Sequence, residues 1–150
     1  MKAWVILLIV VLSAGCVSVD LAPDSQDKAA KSFQPVPGQA NVYIVNDGRL
    51  LLNKTHLFPV LLDGRHEGML GANTYVVIPV RPGRHAVVSS TAESQQGVEL
   101  DAEAGRNYFV SIKARIGFAT ARVSVSQLSD EEGRNAVTKA RLAKTFFRPQ

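Results

Sequence analysis

The sequence predicts a mainly β protein: an antiparallel β-sandwich of about seven or eight short strands, followed by a C-terminal helix. From Ala40 onward, apolar and polar residues alternate with a period of two, which is typical of strands with one buried face. Turn sequences that contain glycine separate these runs at the spacing expected for a sandwich or barrel. The chain has 150 residues, enough for one domain and too few for two.

The strand predictions follow from two kinds of apolar run. In one kind the apolar residues alternate with polar ones, as in 98–102, 108–116 and 121–125, so that Ile116 is expected on the buried face with Tyr108. In the other kind the run is apolar throughout. The second kind comprises 42–45, 58–62 and 75–80, and the turn signals between the runs are 46–48, 63–64, 82–83 and 104–105. Asp63-Gly64 is the strongest of these signals for a hairpin.

A helix is predicted over about 130–144. Ser129 and Glu132 have the spacing of a capping box, with Ser129 as N-cap. Acidic residues fill the first turn and basic residues the last, as the helix dipole favours. The apolar stripe of Ala136, Val137, Ala140 and Ala143 is narrow, so this helix is expected to cover an edge or an end of the sheet.

The first fifteen residues have the three parts of a secretory signal peptide. Lys2 supplies the positive charge, residues 3–12 are apolar, and residues 13–15 are small. Ten helical residues cover about 15 Å, half of the ~30 Å hydrocarbon core, so this stretch is too short for a spanning anchor. Cys16 follows and is the only cysteine, which excludes an intramolecular disulfide and a cysteine-based zinc site.

Residues 12–16, Leu-Ser-Ala-Gly-Cys, resemble the lipobox of bacterial lipoproteins. The resemblance implies cleavage between Gly15 and Cys16, a diacylglycerol thioether on Cys16, and an acyl chain such as palmitate on the new N-terminus. Two or three chains hold a protein firmly at a membrane, whereas one holds it marginally. By analogy with lipoprotein sorting, Val17 in place of Asp favours the periplasmic face of the outer membrane over the inner membrane. An ordinary cleaved signal with a chance cysteine is the alternative.

The composition of residues 16–39 predicts a lipid-anchored linker, and 40–150 is then the folded domain. The segment contains Pro23, Pro35, Pro37 and Gly38 with little apolar periodicity, apart from a short helical turn over 24–33. The net charge is +4, and removing Lys2 with the signal leaves about +3. Such a small excess of positive charge is typical of an ordinary solvated surface. Because the protein is expected to be exported, no nucleic-acid partner is predicted.

Several local patterns in one order resemble the DUF2846 family of bacterial lipoproteins, and they are also similar to PEGA-type sandwich modules. The resemblance implies a β-sandwich in the cell envelope and implies no activity. The patterns are Phe33-Gln34-Pro35, the strand 40–45, Leu61-Leu62-Asp63-Gly64 with Gly68, Thr74-Tyr75, Arg81-Pro82-Gly83-Arg84-His85, and 104–110.

Few residues indicate catalytic or metal-binding chemistry. His56, His66 and His85 lack metal-site spacing; His85 is expected to pack under its turn and bond the backbone, and His66 with Glu67 to be exposed. The acidic row Glu99, Asp101 and Glu103 fits a solvated face, a partner for Lys113 and Arg115, or a cation or acid–base site. No nucleophile elbow, P-loop or dinucleotide motif is present. The candidate interaction surface is Arg134, Lys139, Arg141, Lys144 and Arg148, with Phe146 and Phe147.

These observations predict a membrane-anchored envelope lipoprotein that acts as a non-catalytic binding or structural module. It is expected to have no cofactor other than the covalent lipid on Cys16, and its partner would be an unknown envelope protein or a glycan. The alternatives are a glycan- or peptidoglycan-binding module, suggested by analogy with other sandwiches, and a hydrolytic enzyme that uses the acidic row or a histidine.

Overall fold

A computed structural model describes residues 18–48 and 56–146. The predicted signal peptide, Gly15 and Cys16 lie outside these residues. Within them the elements are α1 (Asp24–Ala30), β1 (Ala40–Asn46), β2 (Phe58–Leu62), β3 (Arg65–Leu70), β4 (Thr74–Val80), β5 (Gly83–Ser90), β6 (Gln95–Ala102), β7 (Asn107–Ile116), β8 (Ala121–Leu128), α2 (Asp130–Lys139) and β9 (Arg141–Leu142).

The strands form two sheets, which confirms the mainly β prediction. The first sheet has five strands in the order β8-β7-β1-β4-β9, and the second has four in the order β3-β2-β5-β6. The second sheet is antiparallel, as predicted. The first is mixed, because β1 runs parallel to β7 and β4 runs parallel to β9. The prediction of a purely antiparallel sandwich is therefore wrong at these two pairs.

The main core lies between the two sheets. Its fully buried members include Val42, Phe58, Leu70, Ile78 and Ile112, which come from both sheets. Strands β1 and β4 are central in the five-stranded sheet, and β1 is buried along its whole length. This burial on both faces explains why residues 42–45 and 75–80 are apolar without alternation.

A second apolar layer covers the outer face of the five-stranded sheet. Tyr43, Tyr75 and Phe109 point into it, with Tyr43 and Phe109 stacked at a centroid distance of 5.1 Å. Val137 of α2 is fully buried against these rings. The predicted capping box is present, since Ser129 accepts a hydrogen bond from the Glu132 N–H and Glu132 accepts one from the Ser129 N–H. Helix α2 thus packs on the face of the sheet, and the expectation that it covers an edge or end is wrong.

The C-terminal helix is also shorter than predicted. It ends at Lys139, because Ala140 is extended and the chain continues as β9 beside β4. The Ala143 N–H then donates to the Tyr75 carbonyl oxygen at 2.8 Å. Ala140 and Ala143 are buried as an apolar stripe would require, but they are buried in extended backbone outside the helix.

The segment predicted as a linker packs onto the domain where the structure describes it. Leu21 forms an antiparallel bridge with Ala143, and the Ala22 N–H donates to the Leu142 carbonyl oxygen at 2.8 Å. Helix α1 falls within the predicted helical turn, and Asp27 on it is buried. Composition predicted a free chain because the contacts that hold this segment come from residues distant in the sequence, such as Leu142 and Ala143.

The two ends of the sandwich differ. The hairpin end, as we call it, carries the turns 71–73, 91–94 and 117–120. The cleft end carries the turns 63–64, 81–82 and 103–106 and the start of α2. Asp63 and Gly64 have φ values of 51° and 78°, and these two positive angles confirm the tight hairpin predicted at Asp63-Gly64.

Candidate functional site

A buried carboxylate joins the N-terminal segment to the C-terminal one. Asp27 is 8% exposed, and its Oδ1 accepts hydrogen bonds from the Tyr75 hydroxyl at 3.0 Å and the Leu142 N–H at 2.9 Å. Its Oδ2 accepts one from the Lys31 ammonium at 2.8 Å, and Lys31 also donates to the Ala140 carbonyl oxygen at 2.7 Å. We call Asp27, Lys31 and Tyr75 the Asp27 cluster.

The surroundings of the Asp27 cluster perturb its acid–base properties. Burial raises the pKa of Asp27, but the hydrogen bonds from Lys31, Leu142 and Tyr75 outweigh it and leave the pKa below its usual value. Burial, reinforced by the hydrogen bond to Asp27, raises the pKa of Tyr75. The carboxylate is therefore charged and the phenol neutral at physiological pH. Because both carboxylate oxygens of Asp27 are hydrogen-bonded within the fold, the cluster stabilises the packing of the N-terminal segment against β4 and β9.

The predicted basic surface is partly neutralised in the structure. Arg141 Nη2 lies 2.6 Å from Asp24 Oδ1, and Lys144 Nζ lies 3.8 Å from Asp20 Oδ2. Both acids belong to the segment that was predicted to be a linker, so the sequence did not suggest that they would meet these bases. Lys139 is exposed on α2, and Arg148 and Phe147 lie outside the described residues. The residues Arg134, Lys139, Arg141 and Lys144 therefore do not form one free cationic patch.

The acidic row is exposed, as a solvated face would be. Glu99, Asp101 and Glu103 lie on or just after β6, an edge strand whose hydrogen-bonded neighbour is β5. The suggested partners lie elsewhere: Lys113 Nζ is 3.3 Å from Asp47 Oδ2, while Arg106, close in sequence, pairs with Glu103 at 3.4 Å. Among residues 18–48 and 56–146, no three His, Cys, Asp or Glu side chains are grouped so as to hold a metal ion.

A hydrogen-bonded pair, His85 and Asp63, connects two turns at the cleft end. His85 Nδ1 lies 2.7 Å from Asp63 Oδ2, and Nε2 lies 2.8 Å from the Arg81 carbonyl oxygen, which confirms the predicted bond to backbone. Burial lowers the pKa of His85, but the bond to Asp63 and the Arg81 carbonyl outweigh it and raise the pKa above its usual value. His66 is exposed and stacks on Phe146 at 5.3 Å. Glu67, predicted to be exposed, is buried instead.

A cleft with a volume of about 500 Å³ lies at the cleft end, between the start of β7 and the start of α2. Arg106 and Arg134 line it together with Asn107, Gln127 and Asp130. The Arg134 guanidinium stacks over Phe33 at 4.6 Å and pairs with Asp130 at 2.7 Å. Sequence reasoning singled out Arg134 but missed the cleft, because its walls are the start of β7 and the end of β8 with α2, which the pairing of Phe109 with Leu128 brings together.

Asn107 connects this cleft to the N-terminal segment. Its Nδ2 donates to the Phe33 carbonyl oxygen at 2.8 Å, whereas its buried Oδ1 accepts no hydrogen bond within the protein. Phe33 itself adopts a left-handed conformation with φ of 56° and packs on Tyr43 at 5.3 Å. The cleft is therefore polar, and its floor is fixed by long-range contacts. Asn107 gave no signal of this role in the sequence.

The fold and these sites define a β-sandwich whose N-terminal segment is hydrogen-bonded to its own C-terminal segment and which carries an open polar cleft. Within the ranges that the structure covers, neither helix has the length and apolar character needed to cross a bilayer.

Comparison with known proteins assigns the chain to a family. The family model of a protein of unknown function, DUF2846, matches residues 37–126, and the chain belongs to this family. The chain is also similar to a protein of Haemophilus influenzae described as "Uncharacterized protein": the two are 25% identical over 143 residues, which cover 95% of this chain and 83% of the relative. The family resemblance seen in the sequence is thereby confirmed.

Proposed function

We propose that this protein is a lipid-anchored lipoprotein of the cell envelope, held by Cys16, and that its sandwich is a non-catalytic binding or structural module. The observation that carries the proposal is the sequence 12–16, which ends an apolar stretch at the chain's single cysteine. The packing of the following segment supports it. Ala22 is hydrogen-bonded to Leu142, so the fold begins within a few residues of the thiol.

The proposal of a non-catalytic module rests on how the polar groups are used. Asp27 and His85 have perturbed pKa values, which often mark active sites. Here each is hydrogen-bonded to groups of its own fold, and Tyr75 and Asp63 are likewise engaged. These side chains therefore serve to stabilise contacts between segments of the chain.

Metabolic labelling with a clickable fatty acid tests the anchor. Wild type should be labelled and Cys16→Ser should not. A matched control moves the thiol by two positions, combining Cys16→Ser with Ser18→Cys; it retains one cysteine but separates it from the lipobox, and should also remain unlabelled. Equal labelling of all three proteins would overturn the proposal, as would an unmodified thiol in wild type.

For the membrane, we propose the periplasmic face of the outer membrane, because the residue after Cys16 is Val17. Density-gradient separation of the two membranes, applied to wild type and Val17→Asp, tests this choice. The variant should move to the inner-membrane fraction while wild type stays in the outer-membrane fraction. An inner-membrane location of wild type would contradict it.

A second candidate function is glycan binding at the polar cleft, with peptidoglycan as the polymer. Its support is a cleft of about 500 Å³ that presents two arginines and the amides of Asn107 and Gln127, groups suited to carboxylates and hydroxyls. Co-sedimentation with isolated cell-wall polymer should weaken in Arg106→Ala. Arg84→Ala, an exposed arginine outside the cleft, is the matched control. Equal sedimentation of both variants would dismiss this candidate.

A further inference from the structure

The described chain begins and ends at one edge of the sandwich. Leu21 forms an antiparallel bridge with Ala143, which places residues 20–22 outside β9 as one further extended segment of the five-stranded sheet. The chain that follows β9 then reaches the other sheet, because Thr145 forms a bridge with Gly68 of β3. We call residues 18–22, residues 141–146 and β3 the anchor edge.

The first described residues are held in this edge and leave only a short connection to the predicted anchor. Val19 is partly buried against the main core, and the Lys144 N–H donates to the Asp20 carbonyl oxygen at 2.8 Å. Two peptide units separate Ser18 from Cys16, and fully extended they reach about 7 Å. A free chain of the length predicted for the linker would instead span roughly 25–30 Å on average. An acylated Cys16 would therefore hold the anchor edge close to the lipid headgroups.

The opposite edge of the sandwich, formed by β6 and β8, differs in charge. Glu99 and Asp101 of β6 are exposed there, whereas Asp20 at the anchor edge lies beside Lys144, with 3.8 Å between Oδ2 and Nζ. Five sheet spacings, about 24 Å, separate residues 20–22 from β8 across the sheet. Anionic headgroups repel exposed carboxylates, so the β6–β8 edge suits the side of the domain that faces away from a bilayer.

Large apolar side chains are exposed both at the anchor edge and at the turn between β7 and β8. Phe146, at the anchor edge, is 66% exposed; its ring stacks on His66, and its N–H donates to the Glu67 carbonyl oxygen at 2.8 Å. At the turn, Ile116 is 86% exposed and Phe118 is 98% exposed. The alternation along β7 predicted Ile116 to be buried, and that prediction is wrong because β7 continues past the end of the main core. Of these three side chains, Phe146 is the one that lies on the edge where the described chain begins.

We infer that the anchor edge is the surface that faces the bilayer, with Phe146 among the lipid headgroups and the β6–β8 edge pointing away from them. This inference rests on the proposed acylation of Cys16. Phe146 follows Lys144 by two residues, and Lys144 is hydrogen-bonded to Asp20, so the exposed ring and the start of the described chain share one edge. A phenylalanine ring gains free energy at the boundary between headgroups and acyl chains because apolar area is buried there. The domain would thus stand on its edge at the membrane and would not float on a free tether.

A single tryptophan at either of two exposed phenylalanine positions tests the inference. Trp4 is the chain's only tryptophan and lies in the predicted signal peptide, so Phe146→Trp and Phe118→Trp each give the mature protein one fluorophore. Phe118→Trp is the matched control, because Phe118 is also exposed but follows β7, which lies four sheet spacings, about 19 Å, from residues 20–22. Both full-length proteins are purified in lipidated form and reconstituted in phosphatidylethanolamine–phosphatidylglycerol vesicles. The vesicles contain a lipid with a nitroxide on its headgroup, which quenches tryptophan at short range.

A longer connection to the anchor gives a second test in the Phe146→Trp protein. A flexible Gly-Ser segment of about 20 residues, inserted between Val17 and Ser18, adds roughly 25 Å on average. The insertion leaves the described fold unchanged in sequence and should remove most of the quenching of the tryptophan at position 146. Quenching that the insertion leaves unchanged would overturn the reasoning from the short connection.

The expected result is several-fold stronger quenching in the Phe146→Trp protein than in the Phe118→Trp protein. Equal quenching in both proteins, or stronger quenching in Phe118→Trp, while mass spectrometry finds acylated Cys16, would overturn the edge-on placement and leave the anchor intact. An unmodified Cys16 in protein that does not float with vesicles would overturn both the placement and the anchor.

Discussion

Removing the Asp27 carboxylate should destabilise the protein substantially. In Asp27→Ala the Tyr75 hydroxyl, the Leu142 N–H and the Lys31 ammonium lose their acceptor. Breaking a buried ion pair from one side costs about 3–5 kcal/mol. Lys31 retains its bond to the Ala140 carbonyl oxygen, and its side chain is 21% exposed and can reach water. We therefore expect the lower end, about 3 kcal/mol.

A double-mutant cycle separates the cluster from general damage. Tyr75→Phe removes one hydrogen bond to a charged group and should cost about 1.5 kcal/mol, because Asp27 keeps two other donors. The double variant with Asp27→Ala should cost about 3 kcal/mol, so that the two losses overlap. Tyr108→Phe is the control, since its hydroxyl accepts a bond from the exposed Glu103 N–H. Its small cost should add to that of Asp27→Ala.

Urea unfolding followed by circular dichroism measures these energies. At an m value of about 2 kcal/mol per molar, the Asp27→Ala midpoint should fall by about 1.5 M. Acid gives an independent check. Because folding lowers the pKa of Asp27 from 3.8, its contribution is present above pH 3.8 and is lost as pH falls through the lowered pKa. Wild type should lose this part and Asp27→Asn should not. A midpoint shift under about 0.3 M, or strict additivity with Tyr75→Phe, would refute the reasoning.

Two further predictions concern the helix and the cleft end. A Cβ on Gly133 would lie 2.6 Å from Phe109 Cδ1, so Gly133→Ala should destabilise the protein by about 2 kcal/mol, despite a gain in helix propensity of about 1 kcal/mol. Thr138→Ala is the control, because Thr138 is exposed on the same helix, and it should be neutral or slightly stabilising. Equal urea midpoints for the two variants would contradict this prediction. Folding raises the pKa of His85 above 6.5. Its pairing with Asp63 should therefore stabilise the folded protein fully below pH 6.5, and this stabilisation should be lost as pH rises through the raised pKa. The contribution should be under about 1 kcal/mol, because the Asp63 side chain is 45% exposed. His85→Gln should abolish this slope above pH 6.5, and an unchanged slope would assign it to another group.

What the sequence predicted correctly depends on nearby residues. The Asp63-Gly64 turn and the Ser129–Glu132 capping box each lie within a few positions, and both are present. Pairings across the chain were not predictable in this way. Asp27 and Tyr75 are 48 residues apart, and no local pattern marks Asp27 as buried. Composition predicted a linker there because prolines and polar residues describe a segment's own preferences and not the surface that receives it.

Alternation has a similar limit at the end of β7. A period of two specifies which face a residue is on, and Ile116 does continue the face of Ile112. Whether that face is covered depends on how far the opposite sheet extends. The core includes Ala114 and Ala121 but not Ile116. An apolar residue at a strand end is therefore ambiguous from sequence, and its exposure becomes informative only once the sheets are assembled.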